Sequence, residues 1–114
     1  MGRRVPRTRN GEQWTEARFF GFLRSSLRSA FQKWGPKHEA KRQAKVAYNS
    51  YKCAACGEAF ASKEVEVDHI VPAGSLKTFD DLPGFAERMF CEVDGFQVLC
   101  KECHQAKTNK ERKR

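Results

Sequence analysis

The chain has 114 residues, with 22 Lys and Arg against 14 Asp and Glu, a net charge of +8 and five cysteines. That length supports one domain, and a chain this small and polar has a marginal core unless something staples it. No run approaches the roughly 18 apolar residues of a membrane span. An odd cysteine count behind a charged Met1-Gly2-Arg3-Arg4 start with no signal-peptide pattern argues against a secreted disulfide framework. We therefore expect a protein of the reducing cytoplasm with no membrane partner.

The charge is segregated along the chain. Residues 1–50 carry 12 basic against 3 acidic side chains, residues 51–100 carry 4 against 9, and residues 101–114 carry 6 against 2. Basic flanks around an acidic centre suit a phosphate-backbone binder: the flanks release counterions from the nucleic acid while the centre attracts a cation. Residues 1–13, with Arg3, Arg4, Arg7 and Arg9 beside Pro6, Asn10 and Gly11, read as a flexible basic arm for DNA. Residues 14–50 read as a helical basic extension. In it Phe19, Phe20, Leu23, Leu27, Ala30, Phe31 and Trp34 recur at three- and four-residue steps, predicting an amphipathic helix from Thr15 to Trp34 with its aromatics in the core. Gly35-Pro36 ends that helix, and a short basic helix is expected from Pro36 to Ala47, with His38 on its solvated surface.

Residues 51–114 read as the metal-binding core. Cys53/Cys56 and Cys100/Cys103 are two C-x-x-C pairs. Each can place two thiolates from one turn on two corners of a tetrahedron, so the four predict a closed structural zinc. Its ligation stabilises the fold by about 10–16 kcal/mol. Glu64-Val65-Glu66-Val67 alternates polar and apolar, a strand with Val65 and Val67 inward and Asp68 and His69 at its end. A long connection follows, with a short helix near Pro83 to Phe90 and with Cys91 as a small core residue. Phe96-Gln97-Val98-Leu99 is a second strand leading into Cys100, and Glu102 to about Arg112 is helical.

Strand, Asp68-His69, long connection, strand, Cys100-x-x-Cys103-His104 and a helix carrying Lys107-Thr108 together resemble the HNH endonucleases of the ββα-metal (His-Me finger) class, in their small zinc-stapled, phage-type form. The motifs span residues 53–108. The resemblance implies an α+β fold and a phage-encoded, metal-dependent DNA endonuclease that leaves 3′-hydroxyl and 5′-phosphate ends. The family's middle asparagine usually stands five residues before the second cysteine pair. Here that position is Gly95, beside Asp94. Either Asp94 takes its place or the turn holds itself through glycine.

The chemistry can also be derived from the residues. Phosphodiester hydrolysis needs an activated water, a Lewis acid and in-line positioning. His69 is the side chain suited to accept a proton near neutral pH. Asp68 and His104 are the expected ligands of a catalytic divalent cation, magnesium or manganese first, with nickel or zinc as alternatives. His104 could instead compete with Cys103 for the structural zinc. Some relatives place a third ligand at the position of Thr108, whose hydroxyl is a weak one. Lys107, Lys110 and Arg112 join the arm arginines as expected contacts to DNA, double-stranded by preference. Two other readings share these residues: a non-catalytic zinc-finger module that binds nucleic acid, and a phage DNA-packaging factor whose nuclease needs a partner protein.

Overall fold

The computed structural model describes residues 4–112. Arg3, named above for DNA, lies outside that range, as do Lys113 and Arg114. Part of the arm expected to be flexible is a hairpin: β1 (Arg7–Arg9) pairs antiparallel with β2 (Trp14–Thr15). The turn between them holds Asn10, Gly11 and Glu12 at φ of 55°, 64° and 66°, the left-handed backbone that Asn and Gly tolerate best. Arg9 ties the hairpin to the first helix. Its Nε lies 2.6 Å from Glu16 Oε2, and its guanidinium sits 4.7 Å from the centroid of Phe19.

Helix α1 (Glu16–Phe31) starts at Thr15, whose hydroxyl accepts from the Arg18 N–H at 3.2 Å. It stops three residues before Trp34, which takes extended backbone (φ −74°, ψ 114°) and donates its indole N–H to the Cys91 carbonyl at 2.7 Å. Helix α2 (Gly35–Ala44) carries proline in its first turn, as expected. It ends earlier than the basic run suggests, because Lys45–Ala47 forms β3 and pairs with β4 (Ser50–Lys52), which in turn pairs with β5 (Ala59–Phe60).

The part that positions the site is a second antiparallel pair. β6 (Val65–His69) faces β7 (Phe96–Cys100) in the register Val65↔Cys100 through His69↔Phe96, so Asp68 and His69 lie inside the ladder, opposite Gln97 and Phe96. Within the connection, α3 (Leu82–Met89) follows a capping box of Thr78 and Asp81. Helix α4 (Lys101–Arg112) leaves directly from β7. The whole is a mixed α and β fold with four helices and small sheets among the described residues.

One apolar cluster joins the N-terminal helices to the rest. Phe20 and Phe31 of α1 and Ala40 of α2 pack with Leu76, Phe85, Met89 and Phe96. Phe85 and Leu76 are fully buried, each worth about 1.5–3 kcal/mol of transfer free energy. The aromatic stripe of α1 is therefore core, as its spacing predicts. A smaller cluster of Cys53, Leu99 and Cys100 with Phe60 closes the cysteine end.

Candidate functional site

The four paired cysteines converge. Single sulfur atoms of Cys53, Cys56, Cys100 and Cys103 all lie within 4.8 Å of one another. A tetrahedron with metal–thiolate bonds of about 2.3 Å has edges of about 3.8 Å, so a small inward adjustment closes it. Two turns build the cluster. Cys53 N–H donates to the Glu58 carbonyl at 2.8 Å and Gly57 N–H to the Cys53 carbonyl at 3.0 Å, with Gly57 at φ 78°. On the other side β7 ends at Cys100, and the first turn of α4 presents Cys103. Burial raises the Cys53 thiol, but hydrogen bonds from the backbone of Cys56, Cys100 and Ala55 outweigh it and bring it down to about 6. Cys103 is pushed up to about 12, first by its hydrogen bonds with Cys100 and Cys53. The four residues are positioned to bind a metal ion, with two of them buried. The soft four-sulfur donor set fits zinc.

Immediately after Cys103, the chain faces a different space. An open cleft of about 1060 Å³ is lined by Asp68, His69, His104, Lys107, Thr108 and Arg112. His104 is turned away from the sulfur cluster: its Nδ1 lies 2.9 Å from Glu66 Oε2 and its Nε2 lies 3.5 Å from Asp68 Oδ1. A histidine nitrogen and a carboxylate oxygen at that separation fit one ion bound at about 2 Å to each. Asp68 is largely shielded, with its side chain 11% exposed, and Gln97 Nε2 donates to its Oδ2 at 3.0 Å.

His69 is held more tightly than a strand-end residue needs to be. Its ring stacks on Phe31 with centroids 4.9 Å apart and lies 5.1 Å from Phe96. Its Nε2 is 2.9 Å from the Met89 carbonyl oxygen. A carbonyl only accepts, so Nε2 carries the proton and donates, leaving the Nδ1 lone pair available.

Lys107 differs from the open phosphate contact expected of it. Its ammonium donates to the His69 carbonyl at 3.0 Å and to Glu111 Oε2 at 2.7 Å, and it lies 3.2 Å from Asp68 Oδ2. Burial lowers its pKa, but the hydrogen bonds to Glu111 and Asp68 prevail and raise it. Among the other expected DNA contacts, Arg112 lines the cleft, whereas Arg4, Arg7, Arg9 and Lys110 do not. The Gly95 question resolves through the backbone. The Gly95 carbonyl accepts from Ile70 N–H at 2.9 Å, just past the end of β6. A Cβ at Gly95 would fall 2.5 Å from Cys91 Sγ, so the fifth cysteine fills the room that a larger residue would need.

Sequence reasoning missed Glu66, Gln97 and Glu111. Glu66 looks like an ordinary outward-facing strand residue, and only the β6–β7 register brings Gln97 opposite Asp68. Glu111 lies four residues after Lys107 on α4, a spacing whose ion pair was open to notice.

Together these features define a protein with a four-cysteine cluster positioned to bind a metal ion, beside a cleft of acidic, histidine and basic side chains. A protein of Lactococcus phage SK1 described as "Probable HNH endonuclease" is 40% identical to the chain over 57 residues, covering 50% of this chain and 53% of the relative. The chain thus spans about half the length of that relative. No family model matches the sequence, and no solved structure matches it. Among the described residues no helix is long and apolar enough to cross a membrane.

Proposed function

We propose that the protein is a metal-dependent, HNH-type DNA endonuclease with a ββα-metal core, stapled by zinc on Cys53, Cys56, Cys100 and Cys103. The observation that carries this reading is the approach of His104 Nε2 to Asp68 Oδ1 at 3.5 Å, beside a His69 whose tautomer is fixed by the Met89 carbonyl. The identity with a phage protein described as a probable HNH endonuclease supports it.

Asp68 and His104 would hold a divalent cation, magnesium or manganese by preference. When bound, the cation stabilises charge on the phosphoryl and leaving oxygens. His69 accepts a proton at Nδ1 from the attacking water, and the Nε2–H bond to Met89 keeps the ring oriented while it becomes charged. Gln97 and Lys107 keep the Asp68 carboxylate directed into the cleft. The zinc end fixes the start of α4, and with it the direction of His104. The products carry 3′-hydroxyl and 5′-phosphate ends, and the enzyme is phage-encoded and acts in the host cytoplasm.

Cleavage of supercoiled plasmid by the parent chain and by His69→Ala, across magnesium, manganese, nickel and zinc, tests enzyme, base and metal together. Metal-dependent nicking lost in the variant is the expected result. DNA binding with no cleavage under any metal would instead identify a non-catalytic zinc module, and activity only on addition of a phage packaging protein would identify a partner-dependent nuclease.

A further inference from the structure

The cleft that holds Asp68 and His69 has a second wall, built by the N-terminal helices, and its charged side chains are all basic. Arg28 stands in the last turn of α1, and Lys37 and Lys41, one turn apart on α2, face the same space. Among the described residues none of these three has a carboxylate partner. Neutral groups hold the two ammonium ends instead. Lys37 Nζ donates to Gln32 Oε1 at 2.9 Å and sits 4.8 Å from the Phe31 centroid. Lys41 Nζ donates to Ser62 Oγ at 2.7 Å and sits 5.3 Å from the Tyr51 centroid.

Two positive charges are thus fixed in place without neutralisation. Lys37 is held below its ordinary range, first by burial and then by the charge of Lys41. An anion entering the cleft would offset the repulsion between the two ammonium groups. Position narrows the kind of anion. The Phe31 ring that carries the Lys37 ammonium at 4.8 Å also stacks on His69 at 4.9 Å. Two such separations put the ammonium within about 10 Å of the imidazole, the axial length of about three phosphates on one strand of a duplex.

We propose that Arg28, Lys37 and Lys41 form a phosphate-binding wall that grips the DNA backbone beside the bond to be cut, making the α1–α2 extension part of the substrate site. The proposal takes its substrate from the nuclease reading above and adds the residues that hold the strand. It also shifts the grip away from Arg9 and Lys107, which are both occupied by carboxylates.

The test is binding of a fluorescent duplex oligonucleotide to the full chain in a His69→Ala background without added divalent metal, measured across a salt series. Lys37→Met/Lys41→Met keeps the stems over Phe31 and Tyr51 and removes both charges. The log–log salt slope should become shallower by about 1.8, at about 0.9 per lost phosphate contact, and Lys37→Arg/Lys41→Arg should keep the parent slope. Arg28→Met, on an exposed side chain, should remove about 0.9 alone, and it serves where the double variant melts early. Parent slopes in the methionine variants overturn the wall, and if the parent chain still cuts plasmid the nuclease reading survives that failure. Slopes lost as expected from a chain that cuts under no metal leave the wall standing and sink the nuclease reading.

Discussion

His104 Nδ1 lies 2.9 Å from Glu66 Oε2 while its Nε2 lies 3.5 Å from Asp68 Oδ1. On the proposed reading, Glu66 orients the ring, and Asp68 and the outward Nε2 would share the cation. Such orienting carboxylates raise ligand basicity and fix the tautomer.

Glu66 is therefore proposed as a positioning residue. Glu66→Ala should weaken the catalytic cation about 10–100-fold with little effect on folding, while Glu66→Gln, still able to accept at Oε1, should recover much of the loss. Plasmid cleavage titrated against manganese gives the midpoint. An alanine variant with the parent midpoint would show that His104 needs no such support.

With the proposed proton acceptor removed, His69→Ala should cost about 10²–10⁴ in cleavage rate. The same change removes the stacking on Phe31 and leaves the Met89 carbonyl without its donor, so the melting temperature should also fall, by the equivalent of about 1–3 kcal/mol. Comparing rates well below the variant's melting temperature separates the two effects, and a parent rate there would remove His69 from the mechanism.

On the zinc site proposed above, only the thiolates couple metal to folding. Cys53→Ala or Cys100→Ala should lose zinc by elemental analysis and unfold at ordinary temperature, as should the parent chain under a strong chelator. Asp68→Ala and His104→Ala should keep their zinc and a cooperative melt. A Cys100 variant with full zinc and an unchanged melt would be incompatible with the structural site.

Gly95 and Cys91 share one space. Gly95→Ala should destabilise the fold by about 1–3 kcal/mol through overpacking. Cys91→Gly should make the alanine far better tolerated, giving a coupling of about 0.5–3 kcal/mol in a double-mutant cycle. Additive effects in thermal melts would mean that the Cys91 sulfur moves aside freely.

The sequence made the cysteine cluster, β6 and α1 legible because their signals are local. C-x-x-C spacing, Asp68-His69 beside a β-alternating run, and the apolar stripe of α1 each depend on a few neighbouring residues. The first arm departed from expectation despite a visible cue: Asn10-Gly11 is a strong short-range hairpin signal, obscured by the arginines around it. Helix α2 ended early because pairing of Lys45–Ala47 with Ser50–Lys52 outweighed the helical preference of a basic run. Glu66, Gln97 and the engagement of Lys107 by His69 and Asp68 could not be read, since each depends on which residues β6, β7 and α4 place opposite one another.

Phe31 belongs to the N-terminal extension, yet its ring meets His69, Phe90 and Phe96. A shortened version of the protein beginning at Tyr51 would retain every motif residue and lose the surface against which the proposed base is seated. Phe96 and Met89 would be uncovered, and the fragment would tend to aggregate. A minimal nuclease cut at the motif boundary would then be inactive for reasons of upholstery, with its chemistry complete on paper.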